Sequence, residues 1–237
     1  SGVQSVGGIV FQPATSGSYR VTGGTLVLSN APVITANADA AIASTVAGAG
    51  VALVKDGTGT LTLASSNTYD GGTTIATGTV AILNAYGLGP ASAHVPTGAA
   101  LVVGVAGVTI PNALSGAGSI HANTLGTGAT SLLFTNAASA FTGTINVGPA
   151  AAGGGKVVLD NGVGVAAAVN VSNNATLYLR SGFNHTGTLR MEGGDTGEAI
   201  GQLRLEINTT WSGPVTLAGD ITTANDGFVG NNTAGTF

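Results

Sequence analysis

Short segments of alternating apolar and polar residues recur along this 237-residue chain. In each segment an apolar side chain occupies every second position, and Gly, Asn, Ser or Asp stands at the ends. Alternation with a period of two places side chains on opposite faces of a β-strand, and the flanking residues are typical of turns. The segments are 25–28, 60–63, 79–82, 100–103, 156–159, 176–179, 188–191 and 202–205. The alanine-rich stretch 36–49 is broken by Gly, Asn and β-branched residues, so the pattern predicts an all-β fold without an amphipathic helix.

The sequence contains three copies of one unit at a nearly constant spacing. The unit consists of a strand, an aromatic residue, glycine and a second strand. The aromatic and glycine positions of this structural repeat are Tyr69, Gly71, Gly72, Phe141, Gly143, Trp211 and Gly213. A period of about 70 residues is too long for one coil of a solenoid, which takes roughly 20 to 30 residues, and suits three coils. We therefore favour a β-solenoid over a sandwich. We expect the aromatic residue to pack at a corner and glycine to stand where φ is positive.

The composition narrows the functional classes. Only 7% of the residues are charged, against roughly 25% in an ordinary globular chain. Ten acidic and six basic residues give a net charge of −4, which argues against nucleic acid as a partner because phosphate binding needs clustered Lys and Arg. The range 71–155 carries no formal charge at all. Since low surface charge removes the repulsion between copies, this run indicates lateral or end-to-end packing.

Other classes are excluded by what the sequence lacks. There is no Cys, so the chain has neither a disulfide framework nor a thiolate metal site. A transmembrane helix needs an apolar stretch of about 18 residues or more, and every apolar run here is interrupted sooner by turn-forming residues. No transmembrane segment is therefore predicted. The chain opens at Ser1 rather than Met, and we expect a segment of something longer.

The first third of the chain carries a motif of known type. The range 55–63 reads KDGTGTLTL, the range 67–75 reads NTYDGGTTI, and the ranges 78–80 and 84–89 read GTV and NAYGLG. These stretches resemble the autotransporter-associated β-strand repeat, a passenger-associated repeat of bacterial surface proteins. The resemblance implies a right-handed parallel β-helix, or β-solenoid, in a large exported protein. It implies no particular activity.

On this resemblance we expect one continuous solenoid. Residues 1–89 would form coils with a clear family repeat, and residues 90–237 degenerate, less regular coils. The implied function is a structural or adhesive bacterial protein, extracellular or on the cell surface, that self-assembles into fibres or stacks within a longer solenoid. Open solenoid ends template strand pairing, which makes self-association the expected partnership. The alternative is a carbohydrate-binding surface module for surface glycans, with exposed Tyr178, Trp211 or other aromatic residues as sugar platforms.

A polysaccharide-degrading enzyme is less favoured. Glycoside hydrolysis needs two carboxylates about 5 to 10 Å apart. The acid-dense region contains Glu192, Asp195, Glu198 and Glu206. Arg190 precedes Glu192 by two positions, and Arg204 precedes Glu206 by two, so each pair shares the outer face of its strand. If the two strands stack, the four residues form an alternating surface charge ladder.

Metal and cofactor chemistry is not predicted either. The turn 193–198 has neither EF-hand spacing nor the tandem nonapeptide of calcium β-rolls, and we interpret it as a polar turn. His94, His121 and His185 fall in no metal-binding spacing, and we predict solvated turn histidines. No phosphate-binding loop is present. We therefore predict no catalytic residue, no metal ligand and no cofactor.

Overall fold

The structure is a computed structural model. It describes residues 2–122, 131–148, 155–194, 201–206 and 208–219, and the backbone of residues 229–231. Within these ranges the chain forms short strands joined by turns and bends, with no α-helix. The described residues accordingly include no helix that is long and apolar enough to cross a membrane.

The chain divides into two compact units. Unit 1 comprises Ser1–Val103 and Pro111–Ser119, and unit 2 comprises Gly104–Ile110 and Ile120–Phe237. The first strands of the chain are β1 (Val3–Phe11), β2 (Tyr19–Val21), β3 (Thr25–Ala36), β4 (Ala40–Ile42), β5 (Thr45–Ala47), β6 (Leu53–Asp56), β7 (Thr60–Leu63), β8 (Thr73–Ile75), β9 (Thr79–Ile82), β10 (Ala93–His94) and β11 (Ala100–Val103). The strands that follow are β12 (Thr109–Ile110), β13 (Leu114–Gly116), β14 (Ser119–Ala122), β15 (Ser131–Phe134), β16 (Ala140–Phe141), β17 (Thr144–Val147), β18 (Lys156–Leu159), β19 (Ala168–Val171), β20 (Thr176–Leu179), β21 (Asn184–His185), β22 (Leu189–Met191), β23 (Leu203–Leu205), β24 (Thr210–Trp211), β25 (Val215–Leu217) and β26 (Val229–Asn231).

Each unit is built from parallel sheets. Two strands that are neighbours in a sheet are not consecutive in the sequence, because a strand of another sheet lies between them along the chain. In unit 1 one sheet has the order β1-β3-β6-β8-β10-β13, with β5 also paired to β3, and the other has the order β2-β4-β7-β9-β11. In unit 2 the orders are β12-β15-β18-β20-β23-β26 and β14-β17-β19-β22-β25, with β21 paired to β24. Parallel neighbours joined by a chain that passes through another sheet define the turns of a solenoid. The prediction of an all-β, parallel β-solenoid is therefore confirmed.

The period-two pattern decides which side chains fill the interior. In β7, Leu61 and Leu63 are buried, whereas Thr60 and Thr62 are partly exposed. Leu61 pairs with Val80 of β9 in the next turn, so apolar residues stack directly on apolar residues. At about 25 cal/mol per Å² of apolar surface removed from water, such interior columns are the main stabilising contribution to a solenoid turn.

The register shows how regular the turns of unit 2 are. Ile145 pairs with Val169, Val169 with Leu189, and Leu189 with Val215. The intervals between these partners differ from one turn to the next, so the turns of unit 2 vary in length, as predicted for the C-terminal half. The three turns from Ile145 to Val215 cover the same interval as the aromatic period from position 141 to position 211. The prediction of three coils per period is therefore confirmed in this unit.

Candidate functional site

Four polar residues of the sequence motif, Lys55, Asn67, Tyr69 and Thr73, are buried in unit 1, and we call this set the repeat corner. Lys55 bonds to the turn from β6 to β7, whereas Asn67 and Tyr69 lie in the connection from β7 to β8 and Thr73 begins β8. Lys55 follows Leu53 by two positions in β6 and so points into the same interior, where it has no exposed surface. Its Nζ donates to the backbone carbonyls of Gly57 and Gly59, both at 2.5 Å, and to that of Thr77 at 2.9 Å. All three ammonium hydrogens are thus used.

Two opposing effects act on the charge of Lys55. Burial lowers the pKa of its ammonium group, while the negative charges of Asp56 and Asp39 oppose this shift. An ammonium group held by three carbonyls is stabilised by charge-assisted hydrogen bonds, which are roughly twice as strong as neutral ones. Because Thr77 lies in the turn that follows, Lys55 links two turns of the stack.

Asn67 and Tyr69 also link turns. Asn67 is buried; its Oδ1 accepts from the Val46 backbone N–H at 2.8 Å, and its Nδ2 donates to the Gly87 carbonyl at 2.7 Å. Tyr69 is fully buried, and burial raises the pKa of its phenol. The Tyr69 hydroxyl lies 2.7 Å from Thr73 Oγ1, which donates to the Leu88 carbonyl at 3.0 Å. Asn67 and Thr73 thus satisfy backbone groups of neighbouring turns, and the Tyr69 hydroxyl bonds to that of Thr73.

The glycines of the repeat are required for two different reasons. Gly72 has φ +94°, a conformation that glycine adopts without steric cost. Gly71 and Gly213 have no positive φ, but a Cβ at Gly71 would overlap the Ala52 backbone, and one at Gly213 would overlap the Gly187 carbonyl. The expectation of positive φ therefore holds at Gly72, whereas close approach of adjacent turns explains Gly71 and Gly213. Gly143 is buried, and its carbonyl accepts from the Ala168 N–H.

Acidic side chains of unit 1 are exposed but engaged. Asp39 Oδ1 accepts from the Thr60 N–H at 2.7 Å, Asp70 Oδ1 from the Gly50 N–H at 2.5 Å, and Asp56 Oδ1 from the Thr77 hydroxyl at 2.7 Å. The Thr77 hydrogen bond is the main reason that the pKa of Asp56 lies below its ordinary value. Each bond joins neighbouring turns, so these carboxylates also hold the stack together.

The aromatic positions of unit 2 are buried as predicted, but the partner of Trp211 was not predicted. Phe141 and Trp211 are 2% and 3% exposed. Trp211 stacks on His185, with ring centroids 5.4 Å apart and an interplanar angle of 9°. His185 is 1% exposed, so the prediction of a solvated turn histidine is wrong at this position. Its strand β21 pairs with β24, which places the imidazole directly beside the indole of the next turn.

Burial makes His185 a weak base. Burial lowers the pKa of the imidazole to about 4, although a hydrogen bond to the Gly164 backbone opposes the shift. His185 Nδ1 and Trp211 Nε1 are buried and find no hydrogen-bond partner among the described residues. The neutral imidazole therefore acts as a flat aromatic surface here rather than as an acid or a base at neutral pH.

The surface charge ladder does not form as predicted. Arg190 and Glu192 pair with each other, as do Arg204 and Glu206 at 3.3 Å. However, β22 lies in the sheet of β19 and β25, whereas β23 lies in the sheet of β20 and β26. Consecutive strands of a solenoid belong to different sheets, so the two pairs stay separate. The pKa of Glu192 lies below its ordinary value, mainly because of the hydrogen bond from Arg190.

A different ladder follows the sheet that contains β18, β20 and β23. Tyr178 pairs in register with Arg204, whose guanidinium lies 4.3 Å from the Tyr178 ring centroid, and Arg180 approaches the same ring at 5.6 Å. Arg180 also bonds Asp160 at 2.7 Å. Burial raises the pKa of Asp160, but hydrogen bonds from Ser181 and the Asn161 backbone, with the Arg180 charge, outweigh it and leave that pKa low.

The acidic and histidine side chains of the described residues do not gather into a metal-binding group. No group of three or more His, Asp or Glu side chains that could hold a metal ion occurs there. Asp195 and Glu198 lie outside the described residues, so the acid-dense region is described only at Glu192 and Glu206. These two follow strands of different sheets.

The prediction of exposed sugar platforms is wrong for the two residues that it named. Tyr178 and Trp211 are only 8% and 3% exposed, and neither ring has a free face to stack on a sugar. Among the large apolar side chains of the described residues, the exposed aromatic ones are Tyr86, at 47%, and Phe183, at 39%. A carbohydrate site on this protein therefore cannot use the two residues that the sequence suggested.

Several structural residues escaped the sequence reasoning, although some left a signal. Lys55 shares the parity of Leu53, so the alternation itself placed it inside. Asn67 was part of the quoted motif but had no assigned role. His185, Asp160 and Arg180 left no usable signal, because the turns that bring their partners beside them differ in length.

The fold and the repeat corner define a class: a parallel β-solenoid built from repeats whose polar residues join adjacent turns. Residues 53–82 match the passenger-associated-transport-repeat family. This confirms the family resemblance, and it covers β6 to β9 with the whole repeat corner. Comparison with curated proteins and with solved structures yields no match. A passenger-associated repeat in a β-solenoid fits a passenger segment of the autotransporter type.

Proposed function

We propose that this chain is a structural or adhesive β-solenoid segment of an extracellular or cell-surface bacterial protein, without enzymatic activity. The observation that carries the proposal is that the polar side chains of the repeat corner bind other parts of the solenoid itself. Lys55, Asn67 and Tyr69 are buried, and their polar atoms bind groups of the same or adjacent turns. Buried, fully engaged side chains hold a scaffold together and offer nothing to a substrate.

We further propose that the segment associates with itself through β1. This strand stands at the end of its sheet and pairs with β3 on one side. It is nine residues long, and it exposes Val3 at 69% and Val10 at 59%. A long edge strand with exposed apolar side chains is a template for pairing with another chain. The low charge of the protein weakens the repulsion that would oppose such pairing.

The experiment is negative-stain electron microscopy with light scattering at several protein concentrations. We expect uniform fibres or oligomers that lengthen with concentration. In the Val3→Lys/Val10→Lys variant, lysine on the exposed edge should shift the population to monomers without changing the circular-dichroism spectrum. A control variant, Leu83→Lys, changes a residue that is 50% exposed but lies outside β1, and it should still assemble. A strict monomer at every concentration would refute self-association.

A further inference from the structure

An open groove lined by both polar and apolar residues lies on the outer face of the first turns of unit 1. It is lined by Ser18, Tyr19, Arg20, Asp39, Ala40, Ala41 and Thr62, and its volume is about 190 Å³. In register, Arg20 of β2 pairs with Ala41 of β4, and Ala41 pairs with Thr62 of β7. The groove exists because Ala41 carries a single methyl group between two longer outward-facing side chains.

The walls of the groove come from two parallel rows of outward positions. Ser18 and Asp39 stand one position before β2 and β4, and they line the groove beside Arg20 and Ala41. Asp39 Oδ1 is held by the Thr60 N–H at 2.7 Å, which fixes the carboxylate at the groove wall. The hydroxyls of Ser18 and Thr62 complete a mixed set of donors and acceptors.

Arg20 distinguishes this groove from the other charged positions. Lys55 is bound by three carbonyls, and Arg180, Arg190 and Arg204 each pair with a carboxylate. Arg20 is exposed, and in the part of the chain that the structure describes its guanidinium forms no ion pair and no hydrogen bond. A free guanidinium presents a planar fork of donors that fits a carboxylate in a bidentate manner.

We propose that this groove binds a single sugar unit that carries a carboxylate, of the uronic acid type. The carboxylate pairs with the Arg20 fork, and ring hydroxyls donate to the Asp39 carboxylate and exchange hydrogen bonds with Thr62 and Ser18. The volume suits one ring rather than a chain. The site does not depend on the proposed scaffold function, since a scaffold with or without a ligand groove assembles in the same way.

The test compares two probes that differ only in the oxidation of one carbon, methyl glucuronide and methyl glucoside, by saturation-transfer difference NMR on the purified protein. We expect the glucuronide to bind with a dissociation constant on the order of 1 mM, typical of an open site with few contacts. The glucoside should bind about tenfold more weakly or not at all, because it leaves the guanidinium without its partner.

Two variants separate the contribution of the Arg20 guanidinium to binding from the contribution of the groove shape. Arg20→Lys keeps the charge but loses the bidentate geometry, and it should weaken glucuronide binding about tenfold. Ala41→Leu keeps every charge but fills the groove floor, and it should abolish binding. Arg190→Gln, which changes an arginine of unit 2, should bind as the parent does. Equal binding of the two glycosides, no binding of either, or glucuronide binding that survives Ala41→Leu would overturn the proposal.

Discussion

The two units hold the same kind of turn with different chemistry. At the repeat corner of unit 1, polar side chains bind mainly backbone groups: Lys55 binds three carbonyls, and Asn67 binds one N–H and one carbonyl. Unit 2 also has such a side chain, the buried Gln202, which accepts from the Gly193 N–H at 2.6 Å and donates to the Ser172 carbonyl at 2.9 Å. It adds contacts between side chains, as in the Arg180–Asp160 ion pair and the His185–Trp211 stack.

This difference explains why unit 1 carries a recognisable repeat motif. A side chain that binds backbone groups needs the same turn length and corner geometry each time, because the backbone groups must arrive at fixed places. A side chain that binds another side chain tolerates turns of different lengths, because rotamers can adjust. The region matched by the family is accordingly the one in which backbone-directed contacts predominate, whereas the more variable turns of unit 2 combine such contacts with contacts between side chains.

The largest expected effect is that of Lys55→Met. The substitution approximates the length of the side chain but leaves three carbonyls without their donor in a site with no solvent exposure. We expect the free energy of unfolding to fall by about 3 to 5 kcal/mol, as for other broken buried polar networks. Urea unfolding monitored by circular dichroism measures it. Arg190→Met, which changes an arginine of unit 2 whose side chain is 46% exposed, should cost less than about 1 kcal/mol. Equal losses in the two variants would contradict the contrast.

A pH titration tests the aromatic contact of unit 2. The pKa of His185 falls to about 4 in the folded protein from its ordinary value of 6.5. The unfolded chain therefore binds the proton more readily, so the stabilisation is complete above pH 6.5 and is lost as the pH falls from 6.5 to about 4. The loss should reach about 3 kcal/mol, at about 1.36 kcal/mol per pH unit.

The matched variant for this titration is His185→Phe, which keeps a flat ring against Trp211. It should remove the fall in stability between pH 6.5 and about pH 4. His94→Phe, an exposed position in unit 1, should leave the fall in place. If His185→Phe unfolds with the same pH profile as the parent, the imidazole is not the group that titrates in this window.

A hydroxyl deletion gives a smaller effect and compares the two units directly. Tyr69→Phe removes the hydroxyl that lies 2.7 Å from Thr73 Oγ1 in the interior of unit 1, and it should cost about 1 to 2 kcal/mol. Tyr178→Phe in unit 2 leaves the ring face that two guanidinium groups approach, and it should cost less than about 0.5 kcal/mol. Thermal unfolding of both variants measures the difference, and a reversed order would refute the assignment of these roles.

The same contrast explains which contacts could be predicted from the sequence and which could not. Alternation located strands such as β7 and β9 because local sequence alone sets the inward face. The motif located the repeat corner because its residues lie within one or two turns of each other. The ladder of Arg190 with Arg204 was wrong because similar local patterns fell on consecutive strands, and consecutive strands enter different sheets. Partners such as Asp160 and Arg180 could not be found, since their contact depends on the length of the turn between them.

The buried state of Lys55 shows a further limit. Its position two places after Leu53 put it inside, but a charged residue is almost never fully buried unless paired. Its partners are backbone carbonyls at a corner, which no side-chain pattern reveals. A sequence motif can therefore mark residues that bind backbone groups, but it does not reveal which groups they bind.

The smallest expected effect is that of the ion pair in unit 2. Arg180→Gln removes a pair whose arginine side chain is 33% exposed and whose Asp160 side chain is 14% exposed. Such a half-exposed pair should contribute about 0.5 to 1 kcal/mol, and the contribution should shrink when the salt concentration rises from about 0.05 M to about 0.5 M, because the screening length falls below about 10 Å. Arg190→Gln removes a more exposed pair and should change the stability less. Urea unfolding at both salt concentrations measures these effects. If Arg180→Gln costs as much as Lys55→Met and is insensitive to salt, a contact between side chains in unit 2 stabilises the fold as strongly as the backbone-directed contacts of unit 1, and the contrast between the units fails.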